Sequence, residues 1–141
     1  MEFLIGKQFP KKVIPLIDSA QKTIEIIVFD WRWYPQEIGS SVQLFNQAIA
    51  RAAKRGVKIR AIVSNDEIAR VLNSVGCEAK KLASKNLVHC KLMLIDDSTL
   101  ILGSHNYTQS AFYMNFELSV ALHAPGEFGE VKSFFENLYL N

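Results

Sequence analysis

The sequence predicts an α/β fold, an α/β/α sandwich around a central mixed β-sheet. Three observations predict it. Apolar, β-branched runs alternate with segments whose apolar residues recur at helical spacing. Several of the runs are apolar on both sides, as strands covered on both faces must be. In the later half the alternation gives way to two strands joined by a tight turn, which adds antiparallel pairing to an otherwise parallel pattern.

The elements follow in order. About Val13–Ala20 reads as a short helix, with Pro15 tolerable only in its first turn. Thr23–Phe29 (TIEIIVF) is rich in β-branched residues and reads as a buried strand. Asp30–Pro35 is an aromatic loop. Ser40 or Ser41 caps a helix through about Arg55, with Val42, Phe45, Ala48, Ile49 and Ala52 at helical spacing and Gly56 as its stop. Val57–Val63 is a second strand, and Asp66–Val75 a helix stopped by Gly76. Leu87–Asp96 and Thr99–Leu102 are strands joined by an Asp97-Ser98 turn, Phe116–Leu122 is a further strand, and Glu127–Leu138 is a closing helix. That helix carries Phe128, Val131, Phe134, Phe135 and Leu138 on one face.

At 141 residues and 15.9 kDa the chain is expected to form one domain over residues 1–141. A chain of this size buries about two thirds of its unfolded surface and needs no staples. Lys and Arg number 16 against 14 Asp and Glu, so the net charge of +2 excludes both an acidic tail and a strongly polycationic coat. A hydrophobic content of 49% excludes intrinsic disorder. No apolar run approaches the ~20 residues of a membrane span. Phe3-Leu4-Ile5 falls short of the ~7–15 residues of a secretory core. A cytoplasmic protein with no stable membrane association is expected, with Cys77 and Cys90 as free thiols.

Within the apolar run Leu87–Asp96, His89 and Lys91 are out of place. At i and i+2 on a strand they share a face. A buried, unpaired lysine is costly, so the pair is expected to line a cavity that receives an anion. Gly103-Ser104-His105-Asn106 follows the hairpin, where small residues let backbone and an Asn amide approach a ligand. Taken singly, each residue has a bland reading. A strand histidine is usually a satisfied core residue, a lysine can snorkel, and an Asp can begin a turn.

Together they spell His89-x-Lys91-x4-Asp96-x6-Gly103-Ser104-x-Asn106. This resembles the HKD signature of the phospholipase D superfamily at every signature position. Six positions at ~5% usage match by chance roughly once in 10⁸ starts, so the joint spacing outweighs the single-residue readings. The resemblance implies the phospholipase D/nuclease-like fold over essentially the whole chain. It also implies phosphodiester cleavage through a phosphohistidine: one His attacks phosphorus, and the His of a second motif protonates the leaving oxygen and then activates water. Lys91 and Asn106 would hold the non-bridging phosphate oxygens, with Ser104 adding a hydrogen bond. No metal or other cofactor is implied, and no His and carboxylate cluster has metal-ligand spacing.

Asp96 belongs to the same catalytic signature. It lies at an odd offset from His89 and is expected to face away and support the fold. Glu117, in Asn115-Phe116-Glu117-Leu118, resembles the carboxylate that single-motif nucleases of the family hydrogen-bond to the histidine, fixing its tautomer. The competing reading is an exposed strand-edge carboxylate. Trp31, Arg32, Trp33 and Tyr34 suit either base stacking along a substrate track or an apolar dimer surface. Asp30 reads as a turn cap. Arg51, Lys54, Arg55, Lys58 and Arg60 read as a solvated basic run, while Lys80, Lys81 and Lys85 suit guidance of a polyanion.

The mechanism needs two motifs, the chain has one, and residues 1–88 contain no His. A two-fold homodimer with facing His89 side chains is therefore expected. The leading functional expectation is a metal-independent nuclease acting on DNA or RNA, an endonuclease among the possibilities. The alternatives are a phospholipase D-type lipid phosphodiesterase and a non-catalytic nucleic-acid-binding module that kept the motif.

Overall fold

A computed structural model describes all residues from Met1 to Asn141. The apolar runs assemble into one seven-stranded mixed sheet of order β1-β7-β6-β5-β2-β3-β4. The strands are β1 (Glu2–Ile5), β2 (Thr23–Ile27), β3 (Lys58–Val63), β4 (Glu78–Lys81), β5 (Leu92–Ile95), β6 (Thr99–Gly103) and β7 (Leu118–His123). The helices are α1 (Gln8–Asp18), α2 (Ser41–Lys54), α3 (Asp66–Ser74) and α4 (Gly129–Tyr139), with a short π-helix at Ser110–Met114. Strands β2, β3 and β4 run parallel, and every other pairing is antiparallel.

Alternation along the strands gives the sheet two apolar faces. Ile24, Ile26, Ile59, Ala61, Met93 and Ile95 face one core, which the inner faces of α1, α2 and α3 complete through residues such as Phe9, Val13, Phe45, Ile49 and Leu72. Ile27, Ile62, Leu92, Leu94 and Leu100 face a smaller core, closed by Phe135 of α4. The expected α/β/α layering is present, with one helix alone on the second side. Ser40 is the residue that caps α2, accepting from Gln43 N–H at 3.2 Å.

Both edge strands depart from the sequence expectation. β1 and β4 have four residues each, and β4 (EAKK) carries no β-branched residue. Short edge strands limit pairing with other chains, and strands of four residues carry little pattern. The first helix begins five residues earlier than Val13, and Pro15 lies inside it rather than in its first turn. Phe9, Val13 and Ile17, spaced by one turn each, bury there, and that burial outweighs the hydrogen bond Pro15 cannot donate. β5 is shorter than Leu87–Asp96 because its partner β2 ends at Ile27. The turn between β5 and β6 sits one residue earlier than Asp97-Ser98. Asp96 and Asp97 hold φ of 51° and 53°, and Ser98 N–H donates to Ile95 C=O at 3.0 Å. On α4, Phe135 is buried while Phe134 is exposed.

The buried face under α4 holds one carboxylate, Glu25, fully shielded in β2. Lys132 Nζ lies 3.1 Å and Arg60 Nη2 3.6 Å from its oxygens, and burial pushes its pKa up against these cations. Arg60 also pairs bidentately with Glu136, and Lys132 with Asp97 at 2.8 Å. This network pins α4 to the sheet, so Arg60 belongs to an interior contact and not to a solvated run. Arg55 similarly donates to the terminal carbonyls Ile17 and Ala20 behind α1, and Arg51 pairs with Asp18.

Candidate active site

The strand directions bring one set of ends together. The C-terminal ends of β2 and β6 and the N-terminal ends of β5 and β7 meet at one end of the sheet, where open α/β sheets bind ligands. His89 and Lys91 lead into β5 there. Lys91 C=O accepts from Gly103 N–H at 3.3 Å, so the β5–β6 register continues one pair past the strand and fixes Lys91 opposite Gly103.

The two motif side chains lie together. Lys91 Nζ stands 3.3 Å from Nδ1 and 3.4 Å from Nε2 of His89, a contact that selects neither tautomer. The Phe29 ring lies beneath both, 5.2 Å from the His89 ring and 6.0 Å from Nζ. Neither His89 nor Lys91 has a carboxylate within ion-pair distance. Asn106 is held to the segment that follows β2, its Oδ1 accepting from Asp30 N–H at 3.0 Å, one residue beyond the Phe29 that lies against His89. That bond leaves the Asn106 NH2 group as an uncommitted donor. The chemistry available is an imidazole nucleophile beside an ammonium and an amide that lack counter-charges, a set suited to an anionic, phosphate-like group.

The other expected site residues are placed differently. Ser104 Oγ gives its only proton to Glu117 Oε1 at 2.5 Å and accepts from Leu118 N–H at 3.0 Å. It is a clamp between β6 and β7, and no hydroxyl proton is left for a phosphate. Glu117 does not reach His89. Its second oxygen accepts from Asn115 Nδ2 at 3.0 Å, because the Ser104–Leu118 pairing turns the carboxylate toward this loop. Asp96 faces the far end of the sheet and accepts from the backbone N–H groups of Gln21, Lys22 and Thr23 at 2.9, 2.7 and 3.0 Å. Burial alone would raise its pKa, but these donors and the Lys22 charge outweigh it and hold the carboxyl below its usual range.

Trp31 is neither a base platform nor a dimer surface. It is 1% exposed, with its indole N–H donating to Asn46 Oδ1 at 2.7 Å and its ring edge-on to Tyr107. Arg32 pairs with Asp30 at 2.8 Å, whereas Trp33 is half-buried and lines a cavity beside α3. Lys80 is tied to Tyr139 C=O, leaving Lys81 and Lys85 exposed on the segment that leads to His89.

Two positioning residues went unassigned in the sequence. Phe29 reads there as one more strand hydrophobe. His105 is buried, stacked on Phe9 with centroids 4.4 Å apart, and burial holds its pKa below the usual imidazole value. Its Nε2–H donates to Gly6 C=O at 2.9 Å and its Nδ1 accepts from Ser119 Oγ at 2.7 Å. The neutral ring thus anchors the segment between Ser104 and Asn106. The anchor needs close approach of β6 and β7, since a Cβ on Gly103 would stand 2.4 Å from Ser119 Cα. Gly103→Ala is expected to cost about 3 kcal/mol, read as a lowered urea midpoint. An unchanged midpoint would show that the two strands can part there.

A family model described as "Cardiolipin synthase, PLD-like domain" matches residues 13–139. The chain belongs to this phospholipase D-like family. The phospholipase D-like chain is 32% identical over 107 residues to a probable phospholipase D of Caenorhabditis elegans, covering 66% of this chain and 19% of the relative. It is 27% identical over 112 residues to a mitochondrial cardiolipin hydrolase of Xenopus tropicalis, covering 75% and 49% respectively. It therefore spans about half the length, or less, of these curated relatives. Among solved structures it is similar to Nuc, a phospholipase D family member from Salmonella typhimurium. That match has a TM-score of 0.81 at 20% identity, over 99% of this chain and 94% of the other. The sheet and its flanking helices are those of the phospholipase D-like fold.

Proposed function

We propose that this chain is a metal-independent phosphodiesterase whose substrate is nucleic acid, its active site completed by a second copy of itself. The observation that carries the proposal is the Lys91 ammonium, without a carboxylate partner, 3.3 Å from the His89 imidazole at an open sheet end. Such a pair is stabilised by an incoming phosphodiester, and the uncommitted Asn106 amide supplies a further donor. Exposed Lys81 and Lys85 continue the positive track on the approach to His89, as a polyanion favours and a single lipid headgroup does not require.

In the proposed reaction a ring nitrogen of His89 bonds to phosphorus as the ester P–O bond breaks, and the leaving oxygen takes a proton from the partner's His89. The partner's His89, now neutral, removes a proton from water. The resulting hydroxide bonds to phosphorus, and the P–N bond breaks to release a phosphomonoester and restore His89. Lys91 and Asn106 hold the oxygens that carry the charge throughout.

A second copy is supported by an uncovered apolar face. On the α4 side of the sheet, α4 covers β2, β3, β5 and Leu100 of β6, while Phe3, Ile5, Leu102 and Leu118 remain exposed beyond it, and Phe116 is fully exposed just before β7. An apolar patch of this kind marks an interaction surface, and the incomplete site specifies the partner. A dimer is expected in sedimentation at assay concentration, and a catalytically active monomer would refute the shared site.

The relatives named for phospholipase D and cardiolipin hydrolysis favour a lipid phosphodiester as the competing substrate. No helix of this chain is long and apolar enough to cross a membrane. Labelled single- and double-stranded DNA and RNA, and phosphatidylcholine and cardiolipin vesicles, are incubated with the protein in EDTA. Nucleic-acid cleavage without vesicle hydrolysis is expected. Cleavage that needs added Mg²⁺ refutes the metal-free mechanism, and vesicle hydrolysis alone transfers the activity to lipid.

A further inference from the structure

The aromatic loop and the start of α3 enclose a cavity of about 310 Å³ that the phosphodiesterase chemistry does not use. Its walls are the half-buried Trp33 and Tyr34, with Pro35, Ile68 and Val71. Arg32, whose guanidinium is engaged by Asp30 at 2.8 Å, and Asn65 and Glu67, which have no such partner, supply its polar groups. Asn65 caps α3, its Oδ1 accepting from Ile68 N–H at 2.9 Å, so its amide NH2 is left as a donor. The Glu67 carboxylate makes no hydrogen bond or ion pair within the chain.

The cavity is tied to the site. Asp30 N–H is bonded by Asn106, and Arg32 N–H donates to Tyr107 C=O at 3.0 Å, which stitches the loop to the motif segment. Trp33 follows Asp30 by three residues, a reach of roughly 10 Å at most. A nucleotide flanking a phosphate held by the Asn106 amide is of comparable length.

We infer that this cavity is a nucleobase subsite selective for guanine. The inference rests on the nucleic-acid reading of His89 and Lys91 and adds a base preference to it. The indole and phenol rings offer stacking surfaces that any base accepts. Selectivity comes from the polar pair. Guanine presents adjacent N1–H and N2–H donors beside the O6 acceptor, matching the Glu67 carboxylate and the Asn65 amide. Adenine and cytosine place a ring-nitrogen acceptor beside their amino group, which a carboxylate repels. Uracil and thymine offer one N–H between two carbonyls. A choline headgroup would also suit rings and a carboxylate, but it leaves the Asn65 donor without a partner.

The test reads tryptophan fluorescence while 5′-GMP, AMP, CMP, UMP and phosphocholine are titrated separately into wild type, Glu67→Gln and Trp33→Phe. Saturable quenching by GMP at about tenfold higher affinity than by the other nucleotides is expected. Glu67→Gln should remove that preference, and Trp33→Phe should remove the signal. Equal quenching by all four nucleotides, no quenching, or quenching by phosphocholine alone overturns the subsite. Wild-type hydrolysis of bis(4-nitrophenyl) phosphate, a diester without a base, reads the phosphodiesterase proposal separately. Its absence beside selective GMP binding counts against that proposal and not against the subsite.

Discussion

Replacing His89 with Asn is expected to lower phosphodiester turnover by at least about 10⁴-fold, the scale seen when a group that forms and breaks bonds is removed. The melting temperature should stay within about 2 °C of wild type, because exposed side chains away from packed contacts change stability little. His89 is exposed, and its contacts are the Lys91 ammonium and the Phe29 ring. Asn offers a polar group of similar reach but no nitrogen able to attack phosphorus. Lys91 and the Asn106 amide remain, so the variant should still bind inorganic phosphate or a non-cleavable diester. Loss of turnover with retained binding separates bond-making from charge-holding. Undiminished turnover would mean that the motif histidine is not the nucleophile and would remove the proposed reaction.

The second large effect is on stability, at the other end of the motif. Asp96→Ala removes the acceptor for three consecutive N–H groups that precede and open β2. Hydrogen bonds to a charged acceptor contribute more than neutral ones, while the exposed N–H groups of Gln21 and Lys22 regain water, so a cost of about 3 kcal/mol is expected. Alanine also adopts the φ of 51° poorly. Asp96→Gly removes that strain and still lacks the acceptor, and Asp96→Asn keeps an acceptor without charge. The expected order of urea midpoints is wild type, Asn, Gly, Ala. The folded state lowers the Asp96 pKa, so its contribution is complete above the unfolded value and is lost as pH falls through the folded one. Wild-type stability should drop across that acid window, with the Ala variant lacking this component. Equal midpoints for Ala and wild type would refute the clamp.

The layering was readable because five strands carry apolar runs, two of them dense in β-branched residues, and three helices carry an uninterrupted apolar face. The edges were not, since a four-residue polar strand such as Glu78–Lys81 is defined by its neighbour and not by its own pattern. Proline misled the reading of α1, where a local penalty competes with burial of Phe9 and Val13. At the site, the i, i+2 spacing of His89 and Lys91 was enough to place them together. Glu117 and Ser104 were not readable from spacing alone. The two groups stand at opposite ends of the β6–β7 connection and are brought together by the pairing of those strands, and a carboxylate takes the nearest hydroxyl before a more distant imidazole. Trp31 shows the same limit, because Trp, Tyr and Arg on a loop look alike whether they face solvent or, as here, fill a core against Asn46 and Tyr107.

The clamp at Asp96 and the pair at Lys91–Gly103 sit at the two poles of β5, five residues or roughly 17 Å apart. Between them the strand works as a ruler. One pole fixes where counting starts and the other where the nucleophile emerges. Insertion or deletion of a single residue in Leu92–Ile95 would leave the chain able to pair but would invert every side chain beyond the error, turning Lys91 into the core and Cys90 outward. The constant gap of the motif is therefore a length specification, in which the letters between Lys91 and Asp96 are free within apolar limits and their number is not.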